Sequence, residues 1–510
     1  MKKHSIFAKA LSVFTVAAIL SSLCLFSVSA SAEEISVGSP NYISYNKDFY
    51  DANTELCNTL AQGMENLQNE IDIEKYQLSI NDVKSAMRTV SETSPELFYV
   101  SKTTYSLAIG TCVARVMPKY TYTNAQVKTM REKLDKRTTE ILSKIDPDMT
   151  DFQKAVTIHD EIILNCEYSN VPDSGNLRTS VYDCLVNRYA NCQGYASSLS
   201  YLLEKVGINS EIVESTQMNH IWNLVEIDGS YYHVDATFDD PTPDRLGFVS
   251  HKYFLLSDSA IKTSSDISVH YGFKTSNPCS STLFDNSYYR TLNTKFNYVN
   301  GRFYAADNNY NSDFSKFIIT FDPESGYCEP VANISDKWYT NAGLSYWQDS
   351  FISTAEYNGK LYFNLNNTIC RYNNEDGTVT RVTDKINTSD YTYIFGIKVD
   401  DNGNFLADVK KSPMDNANIV KIALLPESKQ EKLDIGLGKG DALVIPKFLL
   451  GDINEDGSLS VLDVTLLQMI CTHSVEPTSN QRLAADYNND GKIDVNDATA
   501  LQIYLTSQNS

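Results

Sequence analysis

Near its C-terminal end the chain twice sets oxygen-bearing side chains at alternate positions of a twelve-residue stretch whose sixth residue is glycine. No packed helix or sheet can bury such a run. Asp452, Asn454, Asp456, Ser458, Ser460 and Asp463 stand at positions 1, 3, 5, 7, 9 and 12 around Gly457. Asp486, Asn488, Asp490, Lys492, Asp494 and Asp497 repeat the arrangement around Gly491, 34 residues later. Carboxylates this crowded repel one another unless a hard divalent cation gathers their oxygens. The spacing is that of a calcium loop, in which position 7 gives only its backbone carbonyl. One such stretch would also read as a solvated acidic turn. Two in register, each followed by an apolar helical run (VTLLQMI and ATALQIYL), predict two Ca2+ ions in a small α-helical unit. Without the ions so thin a core would not hold together.

The formal charge of −21 repels phosphate backbones and anionic lipid, which argues against nucleic acid as a partner, although the calcium loops hold part of that charge and would be neutralised. At 510 residues the chain should divide into three or four units, and 42% hydrophobic residues are ample for packed cores. Residues 1–32 read as a cleaved secretory signal: Lys2 and Lys3, an apolar stretch through Val13–Leu20, then Ala30-Ser31-Ala32. Serines and a threonine interrupt that stretch, and no later segment is long enough to span a bilayer, so the expectation is a secreted, extracellular protein with no membrane span. Nine cysteines remain after the signal, scattered and without CxxC spacing. This is neither a disulfide framework nor a zinc site, and an odd count raises the question of a thiol with a purpose.

Apolar residues at helical spacing over Phe49–Ile73, Val127–Ile145 and Phe152–Leu164 predict a mainly helical stretch from 45 to 165, in which Pro95–Val100 turns into a short buried strand. A helix and strands follow over 186–258, so residues 45–275 form an α+β catalytic-domain candidate. After residue 280 short aromatic strands alternate with turns: YVNGRFYAA at 298–306, EYNGKLYFNL at 356–365 and VDDNGNFLADV at 399–409. Spacings of 58 and 44 residues between Gly301, Gly359 and Gly403 suit propeller blades, whereas three blades rarely close a ring. The 285–425 module is therefore β-rich and either propeller-like or a sandwich, and 426–450 reads as a partly ordered linker.

The chemistry concentrates in two segments. In NCQGYASSLSYLLEKVG (191–207) Asn191 is an N-cap, an apolar stripe follows and Gly207 stops the helix, so Cys192 opens it. Backbone N–H groups and the positive end of the helix dipole favour a thiolate there. A cysteine at a helix start is by itself more often a small buried hydrophobe. The base that shifts those odds lies in HIWNLVEIDGSYYHVDATFDDP (220–241), where Asp228-Gly229 is a two-residue hairpin turn. Counting back from it pairs Ile227 with Ser230, Val225 with Tyr232, Trp222 with Asp235 and His220 with Thr237. His220 and Asp235 then become diagonal neighbours on one face. That set suits acyl transfer: Cys192 attacks, His220 moves the proton, Asp235 orients the ring, and helix-start N–H groups serve the oxyanion. His233 is the rival base, ranked lower for lying toward the turn. His159, His251 and His270 lack a carboxylate-and-strand setting and read as structural, and Trp222 reads as a wall of the cleft.

The run VYDCLVNRYANCQGYASSLSYLLEKVGI followed by NHIWNLVEIDGSYYHVDATFDDP resembles the transglutaminase-like superfamily in all three of its motif blocks. The resemblance implies a papain-like fold and a catalytic Cys192–His220–Asp235 triad, with Asp239-Asp240-Pro241 structural. Superfamily members include peptidases, amidases and cross-linking transglutaminases, and here hydrolysis of peptide or amide bonds in a protein or peptide substrate is the first expectation. Cross-linking, or a non-catalytic binding component, is the alternative. Residues 451–507, with Asp in place of Glu at position 12 of both loops, resemble a type I dockerin. That implies calcium-dependent docking to a cohesin module of a scaffold, through residues such as Val461, Leu462, Val495 and Asn496, in a cellulosome-type assembly. No paired-carboxylate motif supports a glycosidase.

Overall fold

The computed structural model describes residues 35–36, 47–107, 112–169, 178–264, 267–308, 316–322, 327–335, 338–340, 345–347, 351–386, 392–437, 450–454, 459–472, 474–475, 477, 481, 484–485, 487–488 and 493–507. The expected export signal at 1–32 and the loop residues Asp456, Ser458, Asp486, Asp490 and Lys492 lie outside the described residues.

The first unit joins β1 (Ile35–Ser36), α1 (Lys47–Glu65), β2 (Ile71–Asp72), α2 (Ile80–Thr93), β3 (Val100–Leu107) and β4 (Val113–Tyr120), with sheet order β1-β3-β4-β2. Leu56, Leu60 and Met64 of α1 and Val83, Met87 and Val90 of α2 recur every three or four residues and bury on Val100, Val113 and Val116. Ser79 and Asp82 close a capping box at the start of α2. Helices dominate residues 45–165 as expected, but the single short strand expected there is corrected. The strand after Pro95–Leu97 is the first arm of a β3–β4 hairpin with eight residues in each strand, in which Ala114, Val116 and Pro118 alternate inward while Arg115 and Lys119 stay out.

The second unit carries the site. α3 (Asn124–Leu142) and α4 (Asp151–Ile163) each open on a capping box, Thr123 with Gln126 and Thr150 with Gln153. β5 (Glu167–Tyr168) pairs in parallel with β6 (Tyr189–Ala190), which delivers the chain to α5 (Cys192–Lys205). β7 (Ser210–Ser215), β8 (His220–Ile227), β9 (Ser230–Val234) and β10 (Phe254–Leu256) then form an antiparallel sheet in the order β10-β9-β8-β7, followed by α6 (Asp258–Thr263). Asp228 and Gly229 turn the β8–β9 hairpin at φ of 49° and 79°, the left-handed pair that such a tight turn needs. The register is the counted one from Ile227↔Ser230 through Asn223↔Val234. β9 ends there, so His220 pairs instead with Ser215 of β7, not with Thr237.

The third region is β-rich with no closed barrel. β11 (Asn297–Val299), β12 (Arg302–Asp307), β13 (Phe317–Asp322) and β14 (Tyr327–Asn333) make one meander, and β15 (Trp338–Thr340) and β16 (Ser345–Trp347) make a hairpin. β17 (Thr354–Tyr357), β18 (Lys360–Leu365), β19 (Thr368–Asn373) and β20 (Thr378–Arg381) make a second meander, and β21 (Tyr393–Val399), β22 (Phe405–Lys410) and β23 (Ile419–Ile422) a third. The Asn300-Gly301 and Asn358-Gly359 pairs, all at positive φ, turn β11 into β12 and β17 into β18. Part of the expected linker belongs to this region: β24 (Glu431–Leu433) pairs with β20, and Leu437 donates its N–H to Val331 O at 3.1 Å. The meander β11–β14 also shares a core with the second unit. Phe296, Phe303, Ile319 and Phe321 lie in one buried cluster with Phe152, Leu199, Val234 and Phe254.

The tail holds α7 (Val461–Cys471) and α8 (Val495–Ser507), packed through Ile453, Val464, Leu467, Ala485, Ala498 and Leu501. No helix among the described residues is long and apolar enough to cross a membrane.

Candidate active site

Cys192 is the first residue of α5, and the turn before it is tightly specified. Asn191 caps the helix, its Oδ1 accepting from the N–H groups of Gln193 (3.1 Å) and Gly194 (3.4 Å), while its carbonyl accepts from Tyr195 N–H. Of the expected oxyanion donors, two are therefore engaged by the cap, and the N–H of Cys192 is the first-turn donor these bonds leave. Gly194 is required for space: a Cβ there would lie 2.6 Å from Ala190 Cβ and 3.2 Å from the Arg178 carbonyl.

The helix is fixed to the hairpin by a residue that sequence reasoning passed over. Asn223 is buried in β8 and donates from Nδ2 to the Ala196 carbonyl (3.1 Å) and to Ser200 Oγ (2.8 Å), both on α5. Its place in the H-x-W-N run, on the face opposite His220 and Trp222, was the available signal.

His220 Nε2 donates to Asp235 Oδ2 at 2.6 Å. Asp235 Oδ1 accepts from the N–H groups of Thr237 (3.0 Å) and Phe238 (3.1 Å) in a turn that begins where β9 ends. The carboxylate is almost fully buried. Burial alone would raise its pKa, but the facing histidines hold it well below the usual carboxylate range. His220 moves the other way. Burial lowers its pKa, while the Asp235 carboxylate and a hydrogen bond with Cys192 raise it more, to about 10. With Nε2 on Asp235, the nitrogen left for Cys192 is Nδ1. Cys192 is partly exposed, so the nucleophile candidate meets solvent while the ring and carboxylate behind it are buried.

The remaining histidines correct the expectation that three of them lack carboxylate partners. His270 Nε2 lies 2.9 Å from Asp235 Oδ2, beside His220. His159 contacts Asp160 (3.0 Å) and Asp239 (3.3 Å), and His251 donates to Asp160 at 2.9 Å. His233 does share the Asp235 face, as counted, but its Nδ1 accepts from Trp222 Nε1 (3.0 Å) and its Nε2 meets Asp258 (3.2 Å). Burial lowers its pKa, and Trp222 and Asp258 occupy both of its ring nitrogens. Trp222 is only 1% exposed, so it is core behind His220, 5.7 Å away at 18°, and not a cleft wall. The wall is Phe238, 38% exposed and stacked on His220 at 4.6 Å, a role nothing in the sequence marked. Asp239 accepts from Ser250 Oγ (2.9 Å) and Tyr253 N–H (3.1 Å), and Asp240 from Tyr195 (2.5 Å), which gives both the structural setting expected for them.

In the tail the position-12 carboxylates are equivalent. Asp463 accepts from Asn454 N–H (3.0 Å) and Ser460 N–H (2.9 Å), and Asp497 from Asn488 N–H (3.0 Å) and Asp494 N–H (2.8 Å). Both are 0% exposed, and no Lys or Arg among the described residues pairs with them. Buried anions in that state fit a cation site. Asp452 is also buried, and Val461, Leu462 and Val495 stand exposed at the starts of the two helices.

Residues 138–236, a span that includes Cys192, His220 and Asp235, match the model of the transglutaminase-like superfamily, and residues 450–506 match that of the type I dockerin domain. The chain thus carries a transglutaminase-like core and a type I dockerin. Type I dockerins in general bind calcium. No curated protein matches the chain. Among solved structures it is similar to a TGase (11% identity, 27% of this chain and 44% of that one, TM-score 0.19). It is also similar to a proposed cysteine protease of Cytophaga hutchinsonii (19%, 26% and 53%, TM-score 0.18). A proposed protease of Parabacteroides distasonis is a third such structure (16%, 25% and 31%, TM-score 0.17). The chain spans about half or less of the length of these structures.

Proposed function

We propose that this chain is an exported cysteine acyl-transfer enzyme that hydrolyses peptide or amide bonds and is carried on a scaffold by its dockerin. The observation that carries the reading is the His220–Asp235 pair at 2.6 Å with Cys192 as the ring's other hydrogen-bond partner, at the start of a helix. The Cys192 thiol gives its proton to His220 Nδ1 and the sulfur attacks the carbonyl carbon. The imidazolium, held by Asp235, then protonates the leaving amine to leave a thioester on Cys192. Water attacks the thioester with His220 as base, releasing the acid and the thiol. The N–H of Cys192, the first-turn donor that the Asn191 cap leaves, serves the developing oxyanion.

The two loops would hold Ca2+ through Asp452, Asn454, Ser460 and Asp463 in the first and Asn488, Asp494 and Asp497 in the second, with the remaining loop oxygens completing each set. Calcium there orders the tail for a cohesin module.

Casein or a cell-wall peptide is incubated with the full chain and with Cys192→Ala, with and without a primary amine donor. Peptide release that disappears in the variant supports hydrolysis. Amine incorporation would move the reaction to cross-linking, and equal behaviour of the two proteins would remove the catalytic assignment.

A further inference from the structure

His270 lies outside both the motif blocks and the matched span 138–236, yet it touches the carboxylate on which the reading above depends. We infer that His270 is a positioning residue for that reading: it holds Asp235 through a second ring N–H, so that Asp235 in turn aims His220 at Cys192.

Asp235 needs protein donors on both of its oxygens. The carboxylate is 1% exposed, and water cannot satisfy its lone pairs. Oδ1 is filled by the N–H groups of Thr237 and Phe238. Oδ2 takes His220 Nε2 at 2.6 Å and His270 Nε2 at 2.9 Å. Without His270, Oδ2 keeps one donor, and that donor is the ring whose direction matters for the chemistry. A carboxylate tied on one oxygen by backbone and on the other by a single mobile side chain can swing with that side chain. A fourth, independent donor removes the freedom.

His270 is itself fixed. Its backbone N–H donates to the Ile261 carbonyl (2.8 Å), Nδ1 faces the Ser268 carbonyl (3.2 Å), and the ring stands edge-on to Trp222 at 4.7 Å and 84°. It packs at 5.0 Å against Phe238, the exposed wall over His220. A histidine kept only for packing would need neither acceptor. This one presents a nitrogen to each.

Two substitutions separate the contacts. The Nε2 of Gln stands where the histidine Nε2 does, so His270→Gln keeps the donor to Asp235. The Nδ2 of Asn reaches only as far as Nδ1, so His270→Asn keeps the Ser268 contact and loses Asp235. The rate at which iodoacetamide alkylates Cys192 at neutral pH, followed by mass spectrometry of the Cys192 peptide, reads the site without any substrate. Expected is a rate about tenfold lower in His270→Asn and within about threefold of the parent in His270→Gln, with kcat on casein following and KM unchanged. Equal rates in both variants, or the reverse order, would overturn the inference. Parent Cys192 reacting no faster than in His220→Ala would instead show that the triad reading has failed, and the inference falls with it.

Discussion

Replacing Asp235 by Asn keeps the shape of the carboxylate and removes its charge. His220 rises from an ordinary 6.5 to about 10 against the downward pull of burial, and Asp235 is the largest of the groups that raise it. At 1.36 kcal/mol per unit, that rise favours the protonated ring by about 5 kcal/mol. An amide supplies little of it. It also turns an NH2 either toward the ring N–H groups of His220 and His270, which share Oδ2 at 2.6 and 2.9 Å, or toward the backbone N–H groups of Thr237 and Phe238 on Oδ1. In Asp235→Asn the ring should be neutral at pH 7 and free to take the wrong tautomer, so kcat should fall on the order of 10³-fold while KM moves little. The assay is the iodoacetamide rate at Cys192 across pH 5 to 11. The raised value sets the direction: the imidazolium is present below about pH 10 and lost as pH rises through it, so in the parent the ring charge that favours attack by Cys192 is in place at neutral pH. The variant should be alkylated more slowly than the parent at neutral pH. An Asp235→Asn protein alkylated at pH 7 within about twofold of the parent would refute the reasoning, because the carboxylate would then not be what holds the ring charged.

Chelation of calcium in the full chain should unfold the tail alone, seen by circular dichroism as a loss of helix that returns with Ca2+; at hundredfold excess over Kd each bound ion stabilises by about 2.7 kcal/mol. Glu161→Gln should destabilise by roughly 3–5 kcal/mol in urea unfolding, because Glu161 is buried between Lys144 (2.7 Å) and Lys295 (2.6 Å) and the change leaves two lysines without their anion. His159, between Asp160 and Asp239, is raised to about 9 although burial opposes it, so its contribution is complete below pH 6.5 and disappears as pH climbs through 9. Thermal melts should fall between pH 8 and 10, and do so less in His159→Gln.

The residues of the site were legible in the sequence because two strict local rules met there. Asn191 and Gly207 bounded a helix, and Asp228-Gly229 fixed a register from which the His220–Asp235 diagonal follows by counting. Counting failed at Thr237, past the end of β9, where a turn built on the Asp235 side chain replaces the strand. His270 and Phe238 were missed for a different reason: each reaches the site through tertiary folding of a loop, which no spacing records. The β3–β4 hairpin was hidden because its polar outer face dilutes the apolar alternation. The Asn-Gly hairpins of the third region were plain, since Asn followed by Gly takes two positive φ values readily. How those hairpins stack depends on contacts between meanders, and their sequence says little about that.

The aromatic seam of Phe296, Phe303 and Phe321 against Phe152 and Phe254 decides where this polypeptide can be cut. A segment excised at residue 275 would lose the lid over its own helices and present a greasy wound to water, however faithfully it kept the three reactive side chains. For anyone wishing to transplant the chemistry to another carrier, the natural cassette runs from residue 47 to 437, and the exchangeable plug begins near 450.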